Sequence, residues 1–271
     1  MVLAGRMSSM VLTYFPLWAK GPGPALALAH SGLEWRGAFP ADWPALKPTT
    51  TWSKLPLLEV RASASDELLT VRPLSANQVL DFFVLTASLD LSLTVSQIGH
   101  ELAILAFIGR VAPAMGGESD GEWAASQQIM CECEDIYAKL TKYQPTTRQP
   151  VKCAPDELRA LWTATDSSVH NRDQGLQLNL ANLDAFAARA GHRGSSLASP
   201  QASATVGACK LFSTLHALVL IEPEVMRAHE RLDAFYDRFA ELAPTRAVLD
   251  DGGAMPGAFA QYFVRGDVSE V

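Results

Sequence analysis

A proline stands among the apolar residues of a stretch that otherwise reads as a β-strand, Lys54-Leu55-Pro56-Leu57-Leu58-Glu59-Val60. Proline has no N–H to give to a strand ladder, so it belongs at an edge or at the start of a strand. A cis Leu55–Pro56 bond accommodates it and turns backbone N–H and C=O groups outward, where they can hold an extended peptide. The surrounding pattern alternates strand and helix. A strand is predicted at Val11–Phe15, then a helix that opens on Pro22-Gly23-Pro24 and stops at Ser31-Gly32, where glycine suits the C-cap. Strands near Leu33–Arg36 and Leu57–Val60 follow, then an apolar helix over Glu101–Arg110. This order implies a small sheet covered by helices.

Beyond a linker at Met115–Gly121, rich in Gly, Ser and acid, the pattern is helical throughout. Glu122–Tyr143 is a long amphipathic segment with Trp123, Ile129, Ile136, Tyr137 and Leu140 on one face. Asp156–Ala164 and Leu176–Ala188 are further helical candidates. Thr205–Ile221 is apolar almost throughout and reads as a buried central helix, and Met226–Leu242 has a helical period of charged and aromatic positions. The expected organisation is therefore an α/β part over residues 10–112 and an all-α part over 120–271. An atypical insertion at about 61–97 lengthens the connection that a compact sheet would close with a short hairpin.

Composition narrows the function. The chain has 271 residues, 48% hydrophobic, with a formal net charge of −7. That is enough to bury a large core. It carries no basic stripe of the kind nucleic-acid binders use, so no nucleic-acid partner is expected. No apolar run approaches the roughly 20 residues that span a bilayer, and Met1–Met10 lacks the apolar stretch of a secretory signal. Cys131, Cys133, Cys153 and Cys209 fit neither a disulfide framework nor a zinc ribbon and read as free thiols of a reducing compartment. The histidines have no metal-ligand spacing, and no metal is expected.

The chain resembles the cytosolic glutathione transferases, nearest the sigma-like, prostaglandin D synthase-like branch. The carrying motifs are Leu12-Thr13-Tyr14-Phe15, Gly32-Leu33-Glu34-Trp35, Trp43-Pro44-Ala45-Leu46-Lys47-Pro48, Lys54–Val60 and Ala103-Ile104-Leu105, in family order. Lys210-Leu211-Phe212, Leu215–Leu218 and Leu232–Tyr236 match the family's late helices. The resemblance implies a thioredoxin-like N-terminal domain, an all-helical C-terminal domain that builds a hydrophobic-substrate pocket, a homodimer and a cytoplasmic location. It implies glutathione as co-substrate and no prosthetic group.

It also implies roles. Tyr14 falls where the family places its catalytic hydroxyl. Trp43, Lys47 and Lys54 fall at glutathione-contacting positions, Leu55 pairs its backbone with the cysteinyl part, and Pro56 is the cis residue. Without these flanking motifs Tyr14 would read as a packed strand tyrosine, Trp43 as a packing aromatic and Lys47 as a solvated charge. The expected chemistry is thiol activation by a tyrosine hydroxyl and conjugation to a small hydrophobic electrophile, or the related isomerisation of an endoperoxide.

The pattern departs at one end of the expected site. Where the family has Gln-Ser before its Ala-Ile helix, this chain has His100-Glu101. A helix N-terminus attracts an anion, His100 can donate to a carboxylate, and Glu101 would repel one. Lys20 is the only charged residue between Tyr14 and the first helix. Ala208 lacks the reciprocal acceptor of a capping box at Thr205, a loss of about 1 kcal/mol. The departures at His100 and Glu101 support a second reading, a non-catalytic transferase-fold protein used for ligand binding or structural association.

Overall fold

The computed structural model describes residues 7–62, 95–142, 175–191 and 204–263. Four strands form one mixed sheet: β1 (Met7–Thr13), β2 (Trp35–Ala38), β3 (Leu57–Ala62) and β4 (Val95–Gly99), in the order β2-β1-β3-β4. β1 runs parallel to β2 and antiparallel to β3, and β3 runs antiparallel to β4. The helices are α1 (Pro22–Ser31), α2 (Trp43–Leu46), α3 (Glu101–Val111), α4 (Pro113–Gly116), α5 (Asp120–Lys142), α6 (Leu176–Gly191), α7 (Val206–Ile221), α8 (Glu230–Ala240) and α9 (Ala243–Asp251). This is a thioredoxin-like sheet with its helices followed, among the described residues, by a helical part, as expected.

Helix α1 begins on Pro22 and ends at Gly32, which adopts φ +69, the left-handed conformation that glycine takes without a Cβ penalty. Residues Pro22 to Leu28 are all buried, because α1 packs against α3, α7 and α9. A helix enclosed in this way needs apolar residues around its whole circumference rather than along one stripe. The core continues from Leu12, Leu26 and Leu58 through Ile104, Leu105 and Ile108 into Phe212, Leu215 and Leu218 of α7.

Several boundaries differ from the expected ones. β1 starts four residues earlier than the predicted strand and stops at Thr13, although Tyr14 still donates its N–H to the Ala38 carbonyl. β2 is displaced to Trp35–Ala38 because its register with β1 pairs Met10 with Trp35 and Thr13 with Ala38. The linker at 115–121 is largely helical: α4 ends at Gly116 and α5 begins at Asp120. At the ends of the segment 61–97, Arg61 and Ala62 extend β3 and Val95 to Gln97 belong to β4. The rest of that segment, the helix expected at 156–164 and Cys153 lie outside the described residues.

Thr205 caps α7. Its hydroxyl accepts the Ala208 N–H at 3.2 Å, so half of the capping box operates without the missing acidic partner. On α5, Cys131 is exposed and Cys133 buried, as helical spacing two residues apart requires.

Candidate functional site

Three strand ends define the site. The sheet register places Thr13 opposite Leu57 and Leu57 opposite Gly99. Tyr14, Pro56 and His100 are the next residues beyond that row, so they share one end of the sheet on three adjacent strands. With strands about 4.8 Å apart, the row spans roughly 10 Å. The Leu55–Pro56 bond is cis. Pro56 is buried, Leu55 half-buried and Lys54 exposed.

Helix α2 lies at the same end. Phe15 bridges Tyr14 and Trp43 by edge-to-face contacts, with ring centroids 5.8 Å and 5.6 Å apart respectively. The Asp42 side chain accepts the Ala45 N–H and caps α2. Lys47 follows α2 and is exposed. Trp52, 59% exposed, covers the other end of the row with its ring 5.8 Å from that of His100. His100 is exposed and holds φ +65 at the start of α3.

The Tyr14 ring is buried, and its hydroxyl oxygen accepts the peptide N–H of Lys20 at 2.9 Å. Gly21 makes room for the ring: a Cβ there would lie 2.1 Å from Tyr14 Cδ1. Burial lifts the Tyr14 phenol well above its ordinary range, against the opposing pull of the Lys20 N–H. The phenol therefore stays protonated at neutral pH and keeps its own proton.

The loop after Tyr14 is fastened on two sides. Trp18 Nε1 donates to the Ser213 carbonyl on α7 at 2.9 Å, and its ring sits 4.3 Å from that of His216. The C-terminal segment runs alongside, with Trp18 donating its N–H to the Ala260 carbonyl at 2.7 Å and Ala260 donating to Pro16 at 3.1 Å.

Glu101 is not part of the row. Its carboxylate turns inward, 2.7 Å from the Lys210 ammonium on α7, with side-chain exposures of 1% and 2%. Lys210 also reaches Glu134 Oε1 on α5 at 2.8 Å, and Glu134 Oε2 holds Lys20 at 2.5 Å. Glu101 therefore faces a cation in the core, whereas the neighbouring His100 is exposed. Burial pushes Glu101 up to about 7 despite Lys210. Burial alone would depress Lys210, but Glu101 and Glu134 hold it above its ordinary value. The opposite pulls have one origin: Lys210 is the shared cation of two carboxylates, and the second carboxylate also has Lys20. Glu101 is the less compensated anion, and its Oε1 is buried without a partner beside Gly23.

Sequence reasoning missed Lys210, Glu134 and the steric role of Gly21. Lys210 left a signal, a lone cation in the apolar run Val206–Ile221. Glu134 left none, since it is one acid among several on a polar helix. Among the described residues, no group of His, Cys, Asp and Glu could hold a metal ion, and no helix is long and apolar enough to cross a membrane.

No protein-family profile matches the chain, and no curated protein matches it in sequence. Solved structures do match in fold. The prostaglandin synthase D of Nilaparvata lugens superposes with a TM-score of 0.59 at 15% identity, over 89% of this chain and 96% of the other. The Fasciola hepatica sigma-class glutathione transferase gives 0.58 at 18% identity, over 89% and 95%. A Nu-class glutathione transferase from Haemonchus contortus gives 0.58 at 12% identity, with the same coverage. Over nearly nine-tenths of its length, the chain has the fold of the glutathione transferases.

Proposed function

We propose that the protein is a glutathione transferase that uses the Tyr14 hydroxyl to activate the thiol for attack on a small hydrophobic electrophile. The observation that carries this reading is the row Tyr14–Pro56–His100 across three adjacent strands, with the Lys20 N–H on the phenol oxygen. A tripeptide thiol lying along such a row would put its sulfur by Tyr14, its cysteinyl backbone by Leu55 and its γ-glutamyl carboxylate by His100 and the start of α3. Trp43, Lys47 and Lys54 flank the glycyl end.

The chemistry follows from the tyrosine's hydrogen bonds. A thiol with a pKa near 8.5 is mostly protonated at neutral pH. The Lys20 N–H occupies a lone pair of the phenol oxygen, which leaves the phenol's own proton to donate to sulfur. Such a donor favours the thiolate, with about 1.4 kcal/mol for each unit by which the thiol pKa falls. The thiolate then forms a carbon–sulfur bond to the electrophile as the leaving group departs with its electron pair. Holding both reactants in one cleft supplies much of the remaining rate. The inward turn of Glu101 and its pairing with Lys210 remove the main objection to an anion at α3.

This reading brings with it a homodimer in the cytosol and a detoxifying role. Retention on immobilised glutathione followed by conjugation of an aryl halide tests it. Absence of both at high protein concentration would overturn it in favour of a non-catalytic ligand-binding or structural role.

A further inference from the structure

Lys20 is used twice. Its peptide N–H donates to the Tyr14 hydroxyl at 2.9 Å, while its ammonium reaches Glu134 Oε2 at 2.5 Å. Glu134 is held in turn, because its other oxygen accepts from Lys210 Nζ at 2.8 Å and Lys210 is anchored on Glu101 at 2.7 Å. Four charges of alternating sign thus run from the start of α3 through α7 and α5 to the loop behind Tyr14. The Tyr137 ring, one turn beyond Glu134 on α5, lies 4.4 Å from the Lys20 ammonium and 5.6 Å from that of Lys210. Both ammoniums are therefore packed as well as paired. Glu134 lies below its usual carboxylate range: burial opposes this, and Lys210 and Lys20 outweigh it.

The loop from Phe15 to Gly21 has no regular ladder of its own, so the direction of the Lys20 N–H depends on what fastens its ends. Trp18 fastens one side to α7 and to the C-terminal segment, Gly21 joins the other to α1, and Glu134 holds the Lys20 side chain between them against α5. We propose that Glu134 is a positioning residue for Tyr14: by holding the Lys20 side chain against α5, it keeps the Lys20 peptide N–H on the phenol oxygen and the phenol proton directed at the reacting sulfur. This rests on the transferase reading for its chemistry, but the geometric claim stands on the free protein. A carboxylate that only staples the helices together would affect folding and leave Tyr14 unchanged.

Glu134→Gln and Lys20→Met test it, the second keeping the peptide N–H while removing the ammonium. Both are expected to lower kcat/KM for aryl-halide conjugation about tenfold at pH 6.5, and to raise the apparent pKa of the bound thiol by about one unit. KM for glutathione should stay within about twofold, and Lys20→Arg should restore the rate. A fall in melting temperature with an unchanged thiol pKa would overturn the proposal. If the wild-type protein conjugates nothing, the transferase reading fails separately, and positioning is read from the free protein labelled with carbon-13 at the tyrosine Cζ. The Tyr14 resonance, assigned with Tyr14→Phe, should shift or broaden in both variants. It should not move in Lys139→Met, which removes a different buried ammonium from the same helix. A Tyr14 resonance that stays in place in Lys20→Met overturns the proposal even if Glu134→Gln does not fold.

Discussion

The Lys210 ammonium lies 2.7 Å from Glu101 Oε2 with both side chains almost wholly removed from water, tying the first residue of α3 to the second turn of α7. A buried pair of this kind is costly to break, because removing one partner leaves a charge without compensation. Lys210→Met is expected to destabilise the protein by about 3–5 kcal/mol at pH 8. The loss should be smaller at pH 5, where Glu101 is protonated, and Glu101→Leu added to Lys210→Met should recover part of it. Urea denaturation of the two variants measures both quantities; a loss below about 1 kcal/mol at pH 8 would show the pair contributes little.

The same carboxyl makes stability depend on pH. Its folded value is raised from 4.5 to about 7. The associated stability is therefore fully present below 4.5 and is lost as pH rises through about 7. The span of roughly 2.5 units corresponds to roughly 3 kcal/mol. Glu101→Gln removes the titration, so its stability relative to wild type should rise between pH 4.5 and 7.5. The buried His30 and His216, both pulled down to about 4 by burial, titrate in the opposite sense, and the wild-type-minus-variant difference cancels them. A difference that stays flat across this range would contradict the assignment to Glu101.

If Tyr14 activates the thiol as proposed, Tyr14→Phe removes one hydrogen bond to an ionised sulfur, an interaction worth about 1.5–3 kcal/mol. Conjugation should fall roughly 10- to 100-fold at neutral pH and recover at alkaline pH, where the thiol ionises unaided. Stopped-flow rates between pH 6 and 10 check this. An unchanged pH profile would remove Tyr14 from the mechanism.

Gly21→Ala places a Cβ about where Tyr14 Cδ1 lies, at 2.1 Å. The backbone at Gly21 has φ −84, which any residue adopts, so the conflict is purely steric. The variant should lose about 1–3 kcal/mol of stability from overpacking. Its conjugation rate should approach that of Tyr14→Phe, because the ring must swing away from the Lys20 N–H. Wild-type turnover in Gly21→Ala would mean the ring position is not what the rate depends on.

Much of the fold is local information and was readable as such. Pro22 and Gly32 bracket α1, the apolar run of Glu101–Val111 marks α3, and the period of α5 places Ile129, Ile136 and Leu140 inward. Strand limits were harder, because a strand's ends are set by its partner. Trp35–Ala38 forms β2 only where β1 offers a parallel register, and Val95 to Gln97 looked like part of an insertion because their partner β3 is distant in sequence.

At the site, the proline motif and Tyr14 were legible because each carries its chemistry in its own backbone or side chain. Glu101 was legible as a residue, but the burial of its side chain was not. Its place at the start of a helix suggested a group facing an incoming anion, but one turn of direction sends it into the core. Whether a carboxylate repels a ligand or neutralises a lysine depends on which lysine it meets, and Lys210 lies more than a hundred positions away.

The amino-acid order by itself thus determined the caps, the periodic faces and the residue types at the strand ends, since these depend on neighbours a few positions apart. Only the tertiary structure decided that Tyr14, Pro56 and His100 form one row and that Glu101, Lys210, Glu134 and Lys20 share charge across four segments. Coulomb interactions and sheet register act through space, between groups whose separation along the chain says nothing of their distance.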